Sequence, residues 1–479
     1  MSPAMTIARA ELAWLSRSRL AQISAGIFLL LLALAVVTSG SYLQHAAEER
    51  HAHQSEATDI FENQPDRHPH RMVHYGQYVF RTPPPLASID PGLDAFGGTS
   101  LFLEGHRQNA AMFAAAAEGS TLVRFGNLTP AFCLQVLAPL LLILIGHSAI
   151  SREHESSTIK SLLAQGVGLR EIALGKLLVL LAASGACLMV LAVAALISAA
   201  GHPGESLAAL TMLGAYGIYL FVWSLIVVAT SCLTRRSSTA FLLLASFWML
   251  SSIVVPRLAA DVASTAAPLE SAFARSMQLK RELRALGDSH SPDDPNYKSF
   301  QSKVLEEYGV SSFEELPVNI RGLMAVEGER QGAEVLARFT EADQAARYTQ
   351  QRLFSAAAVV SPVVALQLAS QAIAGTDLKA YHRFLNEAES HRLAFVQALN
   401  MLQATEVDYA LDKIKSVDVQ AERATRVSAE AWRSLPQFEF APATTTQRVS
   451  GAAMSLLVLA LWLGAAGWLF LRSTGRGGL

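Results

Sequence analysis

The sequence predicts an all-α polytopic membrane protein with six transmembrane helices and a mostly helical extracytoplasmic domain. Two features of the composition support this fold class. Hydrophobic residues make up 51% of the 479 residues and charged residues only 16%, whereas about 25% of the residues of an ordinary soluble domain are charged. The 38 Lys and Arg residues are balanced by 40 Asp and Glu residues, so the chain lacks the basic surface that a nucleic-acid partner requires.

Six apolar runs provide the predicted transmembrane helices. Each is close to the roughly 20 residues that a helix needs to cross the hydrocarbon core, and each is almost free of charge. The first run is too long to be the apolar part of a cleavable signal peptide, so we expect it to be retained. The predicted spans cover residues 20–39, 132–150, 177–199, 207–231, 239–255 and 449–471.

Positive charge in the short connections predicts how these spans are oriented, because Lys and Arg accumulate on the cytoplasmic side of a membrane. The residues concerned are Arg9, Arg17, Arg19, Arg152, Lys160, Arg170, Lys176, Arg235, Arg236, Arg472 and Arg476. We therefore expect a bacterial inner-membrane protein with both termini in the cytoplasm. Residues 151–176 and the tail 472–479 then lie on the cytoplasmic side, and residues 40–131 and 256–448 on the outer side.

The first outer segment, residues 40–131, changes character midway. Its first part is polar and His-rich, and its second part is rich in Pro, Gly and aromatic residues, which is typical of loops with one or two short strands. The sequence then predicts a short helix from His106 to Gly119.

The second outer segment, residues 256–448, reads as mostly helical. One helix is expected to stop at Gly287, and residues 322–352 and 377–432 form two long amphipathic helices that pair as a hairpin. The stretch 353–375 is long enough to be a seventh span, but it is Ala-rich and contains a Pro and two Gln residues. We favour an amphipathic segment packed at the membrane surface.

The connection between the second and third spans is the most informative stretch. Residues 150–178 read ISREHESSTIKSLLAQGVGLREIALGKLL. Charged residues follow the second span at once, a short amphipathic helix runs from Thr158 to Leu163, and a Gly-containing turn precedes the next helix. One interpretation is a polar cytoplasmic loop with snorkelling Lys and Arg, which any multispan protein can have.

This connection resembles the coupling region of the permeases of ABC-2-type ABC transporters. Their pattern is an acidic E-x-E-x-G-T stretch, a run of leucines, a small-residue turn, an Arg and a closing L-G-K. The corresponding residues are Glu153, Glu155, Thr158, Leu162, Leu163, Arg170, Leu174, Gly175 and Lys176. Ser157 stands where Gly is usual, which puts the geometry of this turn in question.

The architecture of those permeases is also similar. They have six spans and begin with a cytoplasmic amphipathic elbow helix, which residues 1–19 resemble. A subgroup with large extracytoplasmic segments of unknown function is similar in two further stretches, residues 83–109 and 361–389. Permeases of nitrous-oxide-reductase maturation and of gliding motility are more distant relatives.

The resemblance implies a permease subunit that couples ATP hydrolysis by a separate ATPase dimer to export or movement of a substrate. The residues expected to contact the ATPase are Arg152, Glu153, Glu155, Thr158, Leu162, Leu163, Arg170 and Lys176. The chain itself has no phosphate loop, because Leu177 follows Gly175-Lys176 where G-x-x-x-x-G-K-[ST] requires Ser or Thr. We therefore expect no enzymatic activity and no cofactor in this chain, with ATP and Mg²⁺ bound by the ATPase.

The partners that the resemblance implies are the ATPase dimer, a second permease chain, either identical or related, and membrane lipid. The outer segments are candidates for binding a periplasmic partner. One alternative is a mechanotransmission subunit, which drives such a partner without conducting a substrate. A third interpretation is a scaffold or receptor that works without ATP.

Histidines in the first outer segment are candidate metal ligands. His51, His53, His68 and His70 form two H-x-H pairs, which resemble short His tracts that bind zinc or copper. The alternative is a solvated linker whose composition favours His.

Overall fold

The computed structural model describes residues 2–113 and 128–475, and these residues are mostly helical. One antiparallel pair of strands, β1 Gln77–Phe80 and β2 Ser100–Leu103, aligns Gln77 with Leu103. The helices are α1 Pro3–Leu15, α2 Arg19–Glu62, α3 Pro69–Tyr75, α4 Pro130–Phe132, α5 Ala138–Gly146, α6 Ser151–Glu155, α7 Thr158–Ala164, α8 Leu169–Ala199, α9 Glu205–Leu233, α10 Ser237–Met249, α11 Val255–Ala266, α12 Ala272–Ala285, α13 Lys298–Tyr308, α14 Ile320–Ser355, α15 Pro362–Ala374, α16 Leu378–Glu406, α17 Tyr409–Ile414, α18 Val419–Ala424, α19 Glu430–Arg433 and α20 Thr445–Gly475.

The prediction of six membrane-spanning helices in an all-α protein is confirmed. In the described part of the chain, six helical stretches are long and apolar enough to cross a membrane, and each contains one predicted apolar run. They are α2, α4 to α6 as one stretch, α8, α9, α10 with α11, and α20. We call the end of this bundle that carries α1, α6 and α7 the terminal face, and the opposite end the domain face.

The first span is much longer than the membrane requires. Helix α2 has 44 residues and is therefore about 66 Å long, whereas the hydrocarbon core is only about 30 Å thick. The predicted span 20–39 is the first half of this helix. The polar half continues without a break because it is rich in Ala, Gln and Glu, which favour helix, and contains no Pro before Asn63.

Two spans contain a π-turn beside a proline. The turns are Cys133–Leu137 and Leu250–Val254, and Pro139 and Pro256 offer no N–H to the carbonyls of the preceding turn. Other segments supply the missing donors. The Tyr219 hydroxyl donates to the Gln135 carbonyl, and the Ser361 hydroxyl donates to the Ser251 carbonyl. The freed carbonyls thus bind neighbouring segments to these spans.

The stretch 353–375 does not form a seventh span, and only its first part is exposed, with Leu353, Val359 and Val360 at the surface. Its second part is α15, 13 residues long, whose side chains are buried over most of its length. Helix α15 packs against α9 and α20 and belongs to the same apolar core as the spans. An Ala-rich helix that is apolar all round is stable when neighbours cover every face. The expectation of an amphipathic segment at the membrane surface was therefore wrong for residues 362–374.

Both ends of α15 have partners for their free backbone groups. At its start, the Ser361 hydroxyl accepts a hydrogen bond from the Val364 N–H. At its end, Arg448 donates to the Ile373 carbonyl at 3.1 Å, and Arg81 donates to the Gly375 carbonyl at 3.2 Å. Two cations at a helix C-terminus also complement the helix dipole.

We call the described residues of the two predicted outer segments, 40–131 and 256–448, the outer region. It packs around a pair of long helices, α14 and α16, which confirms the helical character expected there. Helix α16 ends at Glu406, so the long helix expected over residues 377–432 is broken into α16 to α19. Helix α12 ends at Ala285, just before Gly287 as expected. The residues from His106 to Phe113 are not helical, and the rest of the helix expected there lies outside the described residues.

We predict that Arg448→Ala destabilises the protein by about 3–5 kcal/mol, the usual cost of removing one partner of a buried ion pair. Arg448 pairs with Glu205 of α9, and both side chains are largely buried. Without the guanidinium, the Glu205 carboxylate and the Ile373 carbonyl lose the hydrogen-bond donor that Arg448 provides. Thermal unfolding in detergent measures the effect, with Arg257→Ala at an exposed position as the control. Equal melting temperatures for the two variants contradict the prediction.

Candidate functional site

The candidate site lies on the terminal face, where α1 crosses the beginning of α8. Helix α1 packs along α8 with Ala8 and Glu11 buried, while Leu12 and Trp14 are exposed. The crossing depends on Gly175 of α8, because a Cβ atom there would lie 2.7 Å from the Ala4 carbonyl oxygen. The glycine of the L-G-K triplet therefore permits close contact with the elbow helix.

A buried ion network joins α1, α6 and α8. The Glu11 carboxylate accepts hydrogen bonds from Lys176 at 2.5 Å and from Arg152 at 3.0 Å. Lys176 also donates to Glu153 at 3.0 Å. The Arg152 guanidinium lies 3.7 Å from the centre of the Trp14 ring, a cation–π distance. Each buried charge has an opposite charge beside it, which offsets the cost of removing it from water.

A second set of contacts joins α6 and the residue before it to the end of α9 and the start of α10. The Ser231 hydroxyl accepts hydrogen bonds from the Ile150 and Ser151 N–H groups. The Glu155 carboxylate accepts hydrogen bonds from the N–H and hydroxyl of Ser237, at 2.8 and 2.9 Å. Because Ser237 opens α10, Glu155 supplies an acceptor to an N–H that has no partner within the helix.

Helix α7 forms the outermost part of the site. Ser157, just before it, has a φ of +58°, the left-handed conformation that a Gly adopts more easily. Ser157 thus adopts a turn conformation that would suit Gly at this position. Ile159 anchors α7 in the apolar core, whereas Leu163 is exposed.

The structure divides the predicted contact residues into three groups. Arg152, Glu153 and Lys176 face inward, in the network around Glu11. Glu155 is exposed but holds Ser237, and Leu162 is half-buried against the core. Thr158, Leu163 and Arg170 are exposed.

Sequence reasoning missed three residues of this site, Glu11, Ser231 and Ser237. Glu11 is the only acidic residue among the first 47. A single carboxylate in an otherwise basic and apolar amphipathic helix was the available signal for an internal ion pair. Ser237 gave no signal, because it becomes a partner of Glu155 only when α6 and α10 come together.

The four histidines predicted as metal ligands do not lie together. His51 and His53 are exposed on the outer half of α2. His68 is buried, where its Nε2 lies 3.0 Å from Asp412 and 2.8 Å from the Lys415 amine. His70, by contrast, lies in a different cluster, described next.

His70 lies beside three histidines that were not predicted as ligands, namely His74, His106 and His290. One ring nitrogen of each of the four lies within 4.8 Å of those of the others. Desolvation, with the neighbouring imidazoles, lowers the pKa of His70 to about 2, so this ring is neutral at pH 7. Burial also lowers the pKa of His74 and of His290.

We predict that Gly175→Ala destabilises the protein by about 1–3 kcal/mol, as overpacking does at a tight contact. The new methyl group would meet the backbone of α1, which cannot move as a side chain can. The matched control is Gly185→Ala on the same helix, where a Cβ atom meets nothing within 4 Å. Melting in detergent and proteolytic release of α1 measure the difference. A Gly175→Ala variant that behaves as the control does refutes the tight crossing.

Comparisons with known proteins agree with this architecture. The model of the family described as ABC-2 family transporter protein matches residues 5–292, which is more than half of the chain. The model described as Domain of unknown function (DUF3526) matches residues 269–441, which include α12 to α19. No curated protein matches the chain. The chain is therefore a member of the ABC-2 transporter family, with an additional helical domain of unknown function between its fifth and sixth spans.

Proposed function

We propose that this protein is the permease subunit of an ATP-driven ABC-2 transporter, which moves a substrate across a bacterial inner membrane. The observation that carries the proposal is the construction of the terminal face. The short helix α7 lies on the outside of the bundle and is anchored to its core by Ile159. The segments before and after α7 are fixed to three spans and to the elbow helix. A helix so attached passes a force to the spans.

We define the docking surface as four exposed residues of this region, Thr158, Lys160, Leu163 and Arg170. It offers one large apolar side chain, Leu163, and two cations, Lys160 and Arg170. A partner ATPase would meet it with an apolar pocket rimmed by acidic groups, since complementary charges at a rim set orientation and association rate more than affinity. In this proposal Glu153 and Lys176 act inside the permease and do not touch the ATPase.

The mechanism follows from the rigidity of these contacts. ATP and Mg²⁺ bind to the ATPase subunits, and closure of two such subunits displaces α7. The Glu11 network and the Glu155–Ser237 contact then carry α1, α8 and α10 along as one body. Rigid-body movement of packed helices is a common way to transmit such a change.

We further propose that two permease chains, identical or related, assemble with two ATPase subunits. The spans leave large apolar side chains exposed, among them Leu30 of α2, Ile197 of α8 and Met454 of α20. These faces suit lipid or a second permease chain. Both termini and the docking surface would lie in the cytoplasm, and the outer region in the periplasm.

We predict that the double variant Leu163→Asp with Arg170→Glu loses most of the ATPase activity that co-purifies with the tagged chain from its native membranes. The change introduces two negative charges at the docking surface without touching the Glu11 network. The matched control is Val417→Asp with Arg281→Glu, which makes the same changes at exposed positions of the outer region.

The proposal requires the control to retain the activity of the unchanged chain and the docking variant to keep its melting temperature. Undiminished co-purification of ATPase activity with the docking variant contradicts the docking surface. If no ATPase activity accompanies the unchanged chain, a scaffold or receptor that works without ATP is the better explanation.

Mechanotransmission is the second candidate function, and one observation favours it. Helix α2 runs without a break from the membrane into the outer region, where Phe61 packs with residues of α3 and α16. A continuous helix of this kind carries a tilt of the span directly to the outer region. The protein would then act on a periplasmic partner without conducting a substrate.

Single cysteines on the exposed face of α2 distinguish the two functions. We predict that Ile27→Cys and Leu34→Cys, with Cys133, Cys187 and Cys232 replaced by Ala, react faster with a membrane-impermeant maleimide during ATP turnover. The reason is that transport opens a water-filled route beside exposed apolar faces such as this one. Val417→Cys, exposed in the outer region, is the control for labelling. Protection of both positions with and without ATP favours mechanotransmission.

A further inference from the structure

Four histidines from three separate parts of the chain meet on the outer region. His70 and His74 belong to α3, His106 to the turn after β2, and His290 to the connection after α12. One ring nitrogen of each lies within 4.8 Å of those of the others. His74 and His290 are exposed and His70 and His106 half-buried, so the cluster is open to solvent on one side.

The backbone brings these histidines together by specific means. His70 and His74 are four residues apart on α3, which places both rings on one face of the helix. The turn that carries His106 touches α3, because Gly105 has no side chain and its Cβ position lies 2.3 Å from Val73. His106 itself has a φ of +65°, a conformation that costs a non-Gly residue energy and is found more often at functional sites.

Glu329 of α14 holds His106 in this conformation. Its carboxylate accepts a hydrogen bond from the His106 N–H at 3.0 Å, and it lies 3.1 Å from the ring Nδ1. Arg392, almost completely buried, pairs with the other oxygen of Glu329. The contact with Nδ1 leaves Nε2 of His106 directed elsewhere. A carboxylate behind a ring nitrogen is the usual outer partner of a metal-binding histidine.

The cluster leaves two buried ring nitrogens without a hydrogen-bond partner among the described residues, His70 Nδ1 and His106 Nε2. His70 and His74 approach each other at 3.1 Å between their Nε2 atoms. When four imidazoles face one another, hydrogen bonds between the rings can occupy only some of their nitrogens. A cation in their centre, by contrast, binds one nitrogen of each ring.

We propose that His70, His74, His106 and His290 bind one zinc ion. Neutral imidazoles suit zinc and copper, whereas calcium and magnesium prefer oxygen ligands. A tetrahedral zinc site with Zn–N distances of about 2.0–2.1 Å places the nitrogens roughly 3.4 Å apart. The ring nitrogens lie within 4.8 Å of one another, so the pairs that are farther apart than this spacing have to approach when the ion binds. The ion would join α3, the His106 turn and the α12 connection into one unit, independently of any transport function.

Zinc chloride titrated into the full-length chain in detergent tests the site. The chain should carry a tag without histidines and be stripped of metal beforehand. We expect one zinc ion per chain and a rise in melting temperature on binding, because an ion that binds only the folded state stabilises it. His74→Ala with His290→Ala should weaken zinc binding by at least about 100-fold, since even the loss of an outer partner costs about 10–100-fold.

The matched control is His51→Ala with His53→Ala, which removes two exposed histidines from α2 and should bind zinc as the unchanged chain does. The proposal is overturned if the unchanged chain takes up no zinc at micromolar concentrations, if it binds copper and not zinc, or if the control rather than the cluster variant loses binding. X-ray absorption of the zinc-loaded unchanged chain needs no variant. A first shell of four imidazole nitrogens supports the site, and a shell of oxygen or sulfur ligands refutes it.

Discussion

The bundle is organised around a helix that is too short to cross the membrane. Helix α15 lies among the spans, where water is scarce and every free backbone group needs a partner inside the protein. Its start depends on Ser361, and its last carbonyls depend on Arg81 and Arg448. Those two arginines in turn require Asp94 and Glu205 as counter-ions. At the domain face, side chains from several segments thus serve as hydrogen-bond partners for the C-terminal end of α15.

The terminal face shows a different constraint, because a small exposed helix is connected there to several spans at once. Charged residues that a reader of the sequence would assign to partner binding instead hold the permease together. Lys176 pairs with Glu11 of the elbow helix and with Glu153, and Glu155 holds the start of α10. In the proposed function, contact with an ATPase is left to the few exposed side chains of the docking surface, such as Leu163 and Arg170, whereas the internal charges hold the helices together.

The six spans could be predicted because a membrane imposes a length and an apolar composition on each helix separately. Helix α15 could not, because an Ala-rich apolar stretch looks the same whether lipid or protein covers it. The histidine cluster was also beyond prediction by spacing. Of the four residues His51, His53, His68 and His70, only the last belongs to it. Its other members come from distant positions that meet only in the folded outer region.

The position of α15 in the chain has a consequence for biosynthesis. Its neighbour α9 is made early, whereas α15 and its other neighbour α20 belong to the last third of the sequence. The first five spans are therefore synthesised before α15 and α20, the helices that pack against α9 in the finished bundle. A chain cut short before Arg448 would keep five inserted spans, but the end of α15 and the Glu205 carboxylate would lack their partner. Quality control in the membrane could recognise such a product by that exposed carboxylate and backbone.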